Sequence, residues 1–585
     1  MALLQAGLVG LIALILAPGY LFYFDVTPKL IVVLIGTAVL LLLARPARSW
    51  FGVLVLATVA SLALSSMFST NQPLSWFGGN WRRFGAVEQA AVLLLAWLIG
   101  SHAAGRPERI RMVLRGVAAA ALLAGIYGIL QYAGVDPVLP AAAYHVGEGL
   151  WTIVRPPGTL GYVSYFANWL VMAAFLCLAL AELEPRRWLR VAAYTVAAIA
   201  SFAMLLTGTR GALLASAAGF AVLLGLRAIR VTRRVGLVAA ALAVALAAFY
   251  VSPPGWKLHA RARWFREDAR GGARLDLWRD SVAMSVHRLP TGFGPEVFTA
   301  QFPHYESKQL AEAYPDFAHE SPHNMFLDAL VAQGIPGLAL LATICVLAVR
   351  RAQSQWLAAA IVAGIVAQQF TAFTIPTAVL FFVAIALSLP APAEPERAPR
   401  FLLAAPLAAA MLYLAFRFTA ADRALELVRQ AIAAGNGQAA AARFADFEHW
   451  RFPGAGSDFW YSRAMAALAQ HTPNQILRTQ IAAQAGYAAL RATATAEDPF
   501  DAWYHAAALY STANDARYAE RSLRSAIAAH PNWFKPHWML ARVLRIEGRA
   551  DEARSEAALA VELDAGRHAE VRETLQGSIS ASSHK

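Results

Sequence analysis

Charge is scarce in this 585-residue chain. Asp, Glu, Lys and Arg make up 15% of it against 58% hydrophobic residues, and the mean hydropathy of +0.47 excludes a soluble multidomain protein and points to a polytopic membrane protein. Cysteine is scarcer still. Cys177 and Cys345 both fall inside apolar runs, where they act as small hydrophobes, so a framework of disulfides is excluded. Ionisable groups are almost missing from the apolar runs themselves: Asp328 lies near an end, and Gln333, Gln368 and Gln369 carry no charge. A proton- or ion-coupled transporter usually needs such groups near the midplane, and their scarcity argues against that class. The first apolar run has neither a basic leading segment nor a small-residue cleavage site, so it is expected to stay as a first span.

What the chain does have is about thirteen apolar runs long enough, or nearly so, to cross a hydrocarbon core of about 30 Å. Their cores are expected near 3–24, 30–44, 51–66, 86–103, 110–134, 160–183, 189–207, 211–226, 234–252, 323–349, 356–373, 375–391 and 401–417. The pairs that meet near Arg210 and Pro376 are candidates for broken or re-entrant segments. The expected fold class is all-α: a polytopic membrane helical bundle of about 12–13 spans followed by a soluble helical tail.

The net charge of +13 does not signal nucleic acid, because most of the excess sits in short loops. Basic clusters at 45–50, 105–111, 184–190, 227–234 and 350–351 each follow an even-numbered span, which by the positive-inside rule places those loops and the N-terminus in the cytoplasm. The long loop 253–322 and the tail are then expected outside it. The predicted division is a membrane domain at 1–418 and a helical domain at 419–585. Within the latter, Ala519 aligns with Ala553 and Ala526 with Ala560, a 34-residue period clearest over 498–565. With Trp538, Leu540, Ala541 and Gly548 in the expected places, it resembles the tetratricopeptide repeat. Two or three such helix pairs usually present a groove for a partner protein; the plainer alternative is a scaffold that stabilises the membrane part.

Polar chemistry gathers at the predicted outer face. In "HESPHNMFLDALVAQGIPG" Ser321 and Pro322 suit an N-cap and first helical position, so His323 is expected in the first turn of a membrane helix. There the helix dipole favours the neutral ring, which can accept a proton. Asn324 and Asp328 are near enough to orient it. The plainer reading is an interfacial histidine that caps, and for His319 a solvated loop position. A zinc site from His319 and His323 has no further ligands in view. Arg210, in "LLTGTRGALLAS", lies between two apolar runs beside Gly208 and Gly211, which permit a break and close ligand approach; its alternative is snorkelling to the interface. The loop segment 256–279 carries Lys257, Arg261, Arg263, Arg266, Arg270, Arg274 and Arg279 against only Glu267, Asp268 and Asp276. Guanidinium groups there suit phosphate oxygens, or an amphipathic helix on anionic headgroups. Arg155 opens "RPPGTLGYVSYFAN", which leads into the sixth run.

In this order the segments "GTLGYVSYFANWL", "GTRGALLA", "RLDLWRDSVAMSVHRLPTGFGPEVF" and "PHNMFLDALVAQGIPGL" resemble the O-antigen ligase and O-antigen polymerase superfamily over about residues 50 to 390. The chain lacks the Asn-Pro-Asn that many members place after the second glycine of the first segment. The resemblance implies an inverting, metal-independent, cofactor-free glycosyltransferase of a bacterial inner membrane, taking its glycan from undecaprenyl diphosphate at the periplasmic face. It implies that Arg210 and Arg274 bind the diphosphate and that His323 deprotonates or positions the acceptor hydroxyl. Arg155, Arg266, Arg270, Arg279, His319 and Asn324 are the expected substrate-binding residues. The outer loops contain no Asp-x-Asp, which a metal-dependent relative would be expected to show. The acceptor is a lipid, a glycan or a protein, so ligase, polymerase and protein O-oligosaccharyltransferase all remain open. Readings from other classes are a lipid-linked sugar flippase and a non-catalytic anchor for the tail.

Overall fold

The computed structural model describes all residues except 45, 149–150, 227–232, 260–261, 264–271, 392–403, 453–455 and 581–585. Among the described residues seven helices are long and apolar enough to cross a membrane, and six shorter apolar helices accompany them. Each of the thirteen corresponds to one predicted run. The chain is an all-α multi-pass bundle, with one antiparallel hairpin, His145–Glu148 paired with Trp151–Val154. The helix Val163–Leu183 is apolar all round and buried over most of its length, as expected of a helix at the centre of a bundle. Ala86–Ala103 and Ile375–Ser388 pack beside each other in the same core.

Three predicted runs differ from the structure in their ends. The first, expected at 3–24, is helical only over Ala2–Leu14. Pro18 has no N–H to continue the ladder, Gly19 takes a φ of +71°, and the chain turns back. The eleventh, expected at 356–373, ends at Ala367, and an irregular segment separates it from the helix Ile375–Ser388. The last, expected to end near 417, belongs to a 30-residue helix, Ala404–Ala433. This helix packs on Thr27–Leu43 and carries the chain through position 418 without a break.

The helix Met325–Arg350 has a discontinuity at Gly334, whose φ of 68° and ψ of −159° are not helical, a combination open essentially to glycine alone. The break frees backbone groups, and the long loop satisfies them. The N–H groups of Phe293 and Gly294 bond to the carbonyls of Val331 and Ala332 at 2.8 and 2.9 Å, and the Ile335 N–H bonds to the Leu289 carbonyl at 2.8 Å. The strip "LPTGFGPEVF" is thereby pinned against a membrane helix, as buried backbone groups require. Ser75 Oγ donates to the Pro295 carbonyl at 2.9 Å, which ties the same strip to the short helix Gln72–Phe77 that follows Trp50–Met67.

After 433 the chain forms consecutive packed helices: Gly437–Glu448, Asp458–Gln470, Gln475–Thr495, Pro499–Thr512, Ala516–Ala529, Phe534–Ile546, Ala550–Leu563 and Ala569–Ser580. Ala519, Ala526, Ala553 and Ala560 are all fully buried, where a small side chain allows close helix contact. These helices rest on the long loop. His530 Nε2 lies 2.6 Å from Glu306 Oε2, Asn532 Nδ2 donates to the Glu306 carbonyl at 2.7 Å, and Lys535 and Lys308 pair with Asp316 and Glu562 at 2.9 Å each.

Candidate functional site

Three helices begin at one place, and the residues singled out from the sequence stand at their starts. Arg210 is the first residue of Arg210–Gly225. Arg274 is the first residue of Arg274–Val286. His323 comes just before Asn324, the N-cap of Met325–Arg350. The shared neighbour is the irregular segment after Ala367, at Gln368 and Phe370. Arg274 places its guanidinium 5.7 Å from the Phe370 ring centroid, and a β-carbon on Gly211 would touch the Phe370 side chain at 3.2 Å. The N–H of Met325 bonds to the Gln368 carbonyl at 2.9 Å, which fixes the Met325–Arg350 helix to that segment.

The location of His323 departs from the expected first helical turn. Asn324, not Ser321, caps the helix, accepting the N–H groups of Phe326 and Leu327 at 3.0 and 3.2 Å. His323 precedes it with a φ of +50°. Both Ser and Asn are good caps. What moves the start is tertiary: Trp278 Nε1 donates to the Pro322 carbonyl at 3.1 Å, holding Pro322 out of the helix. Ser321 Oγ instead accepts the His323 N–H at 3.3 Å and lies 3.1 Å from Nδ1, so it sets the ring. Burial, then the Arg274 guanidinium, His319 and Arg82, push the His323 pKa down to about 4. The imidazole is therefore held neutral at physiological pH, with burial the first cause and the neighbouring Arg274 the next.

Other expected residues take different positions. Arg279 is bonded to Asp276 and Asp280 at 3.0 and 2.9 Å and to Ser307 Oγ at 2.7 Å, which makes it a brace within the long loop. Asn324 spends its oxygen on the cap. His319 is buried among Phe302, Tyr314 and Phe317, 3.8 Å from Glu306, instead of lying in a solvated loop. Among the described residues no three His, Cys, Asp or Glu side chains are grouped to hold a metal ion. Arg155 stands at the end of the hairpin, lining a separate cavity of about 400 Å³ with Asp25, Tyr144 and Tyr162. Arg261, Arg266 and Arg270 lie outside the described residues.

Sequence reasoning missed Arg82. It is buried, bonds Glu296 Oε1 at 2.5 Å, lies 3.6 Å from Asp328 and donates to the Phe373 carbonyl at 3.4 Å. It thus joins the pinned loop strip, the first turn of Met325–Arg350 and the irregular segment 368–374. The available signal was the pair Arg82–Arg83 in "GGNWRRFG", two cations in a short stretch that the orientation argument places outside the cytoplasm, against the positive-inside trend. Arg83 pairs with Asp422 at 3.1 Å, which links the same stretch to the helix leading into the tail.

Residues 195–342 match a family model described as O-antigen ligase, a span that includes Arg210, Arg274 and His323. Among curated proteins, no relative matches the chain.

Proposed function

We propose, from the match of residues 195–342 to an O-antigen ligase model, a glycosyltransferase that moves an oligo- or polysaccharide from undecaprenyl diphosphate to an acceptor hydroxyl at the periplasmic face of a bacterial inner membrane. The observation that carries this reading is the convergence of three helix starts on the segment Gln368–Phe370. Helix N-termini hold partial positive charge and free N–H groups, which suit phosphate oxygens. A cation at a helix start works against its own helix by about 0.3–1 kcal/mol. Arg210 and Arg274 both accept that cost, which fits side chains placed for a ligand.

In the proposed reaction the acceptor oxygen attacks the anomeric carbon, the bond from that carbon to the diphosphate breaks, and undecaprenyl diphosphate leaves with the electron pair. Inversion follows from the single displacement. Arg210 and Arg274 stabilise the growing charge on the leaving group, a task that guanidinium groups perform without a metal. His323 takes the hydroxyl proton on Nε2 if Nδ1–H donates to Ser321. That tautomer suits the geometry, because Ser321 Oγ already accepts the His323 N–H and has a second lone pair. Arg82 holds Glu296 and Asp328 so that the loop strip and the His323 helix keep their relation.

The tail favours a second reading within the same chemistry, transfer to a protein. Its helices rest on the long loop that ends at His323, and their 34-residue period resembles repeats that commonly hold peptides. The test is turnover by the purified protein with lipid-linked glycan in excess chelator. Transfer is expected to proceed with inversion at the anomeric carbon and to be lost in His323→Ala and Arg210→Ala. A requirement for added divalent metal, or full turnover in His323→Ala, would overturn the mechanism.

A further inference from the structure

A second cavity of about 400 Å³ lies where the tail meets the long loop. Its walls include Phe317 from the loop, Arg463, Tyr504 and Trp533 from the tail, and the paired carboxylates Asp498 and Asp501. We infer that this cavity is a saccharide-binding subsite, holding sugar residues of the glycan that is transferred or extended beside it. The inference deepens the transferase reading and rests on it for the identity of the glycan.

The wall chemistry selects the ligand class. Aromatic faces carry negative charge density and attract the C–H groups on the flat side of a sugar ring, while carboxylates and a guanidinium take its hydroxyls. Trp533 is held by edge contacts to Tyr504 and Phe500, at ring centroid distances of 5.0 and 5.6 Å, so the aromatic wall is rigid. Carboxylates and cations of both Arg463 and Lys535 line one small space, which leaves little net field for a strongly charged ligand. His530 also lines the cavity and is buried, its Nε2 lying 2.6 Å from Glu306 Oε2. Burial and the neighbouring Asp501 push the Asp498 pKa up to about 7. Near neutral pH the carboxyl pair thus offers a donor as well as acceptors, as neutral hydroxyls require.

Placement agrees. Asp316, Phe317 and Ala318 line the cavity, and His323 follows Ala318 by five residues, which span at most about 18 Å. A short run of sugars can reach from one site to the other.

The experiment is isothermal titration of the full-length protein in nanodiscs with the soluble glycan freed by mild acid from the host's own surface polysaccharide. A parallel arm uses a synthetic peptide rich in Ser, Thr and Ala. The expected result is glycan binding that weakens about tenfold or more in Trp533→Ala and in the near-isosteric Asp501→Asn. No glycan binding by the parent, equal binding by parent and Asp501→Asn, or loss of peptide binding instead would each overturn the subsite. Glycan binding in this pattern by a protein that shows no transfer would support the subsite while defeating the transferase reading. Transfer by a protein that binds no free glycan would do the reverse.

Discussion

Gly334 faces the carbonyl oxygen of Leu289 so closely that a β-carbon at 334 would stand 2.1 Å from it. The contact is what allows the long loop to supply backbone partners to a broken membrane helix. Gly334→Ala meets both that oxygen and an unfavourable φ of 68°, and the oxygen belongs to backbone that cannot rotate away. The expected loss is on the order of 3 kcal/mol or more. Thermal denaturation followed by size-exclusion chromatography would show it, and a melting temperature equal to the parent's would contradict it.

The histidine beside the arginines sets a pH expectation. With its pKa pushed down to about 4 by burial and by Arg274, His323 remains a competent base as pH falls through 6, and kcat/KM should decline only as pH approaches that value. Removing a positive neighbour has a defined sign. Arg274→Gln takes away repulsion of the imidazolium, so the acid limb of the residual activity should move to higher pH. A pH–rate profile of both proteins decides the matter; a limb that stays put or moves down would remove His323 from the role of base.

Arg82 is expected to matter both for folding and for turnover. Arg82→Gln leaves Glu296, which is 1% exposed, and Asp328 without their cation. Stripping one partner from a buried ion pair commonly costs about 3–5 kcal/mol. Arg82→Lys keeps the charge but cannot reach Glu296, Asp328 and the Phe373 carbonyl together, so its stability and turnover should fall between those of the parent and Arg82→Gln. Melting temperatures and single-turnover rates of the two variants test this ordering.

The tail should loosen when its buried link is cut. His530 and Glu306 are both buried at the junction, and His530→Ala leaves the carboxylate with only the more distant His319. Hydrogen exchange is expected to rise in residues 304–318 and in Phe534–Ile546, with the membrane helices unaffected. Unchanged exchange at the junction would mean that the lysine pairs on the rim suffice to hold it.

Much of the bundle was legible because apolar runs read directly as helices when the solvent is a bilayer. The runs gave every span its place, and Pro18 explains why the first stops early. Arg210, Arg274 and His323 drew attention because a cation or an imidazole near such a run is conspicuous. Helix starts were harder. Ser321 and Asn324 are equivalent caps on local chemistry, and the choice was made by Trp278, 44 residues away. Arg82 stayed hidden for the same reason: its meaning comes from Glu296, 214 residues on, and no local pattern carries that information. Arg279, expected to bind substrate, is also held by Asp276 and Asp280 of its own helix, a pairing that counting charges along the loop does not weigh.

The turn after Pro18 bears on how the chain is made. Tyr23 donates its N–H to Asp422 at 3.0 Å, across 399 residues, and Arg423 reaches back to the carbonyls of Gly19 and Tyr20. At about 5–20 residues per second, a ribosome needs roughly 20 to 80 s to deliver the second half of that clasp. Until then this contact cannot form, and its closing is timed by Ala404–Ala433, the last apolar helix to be made.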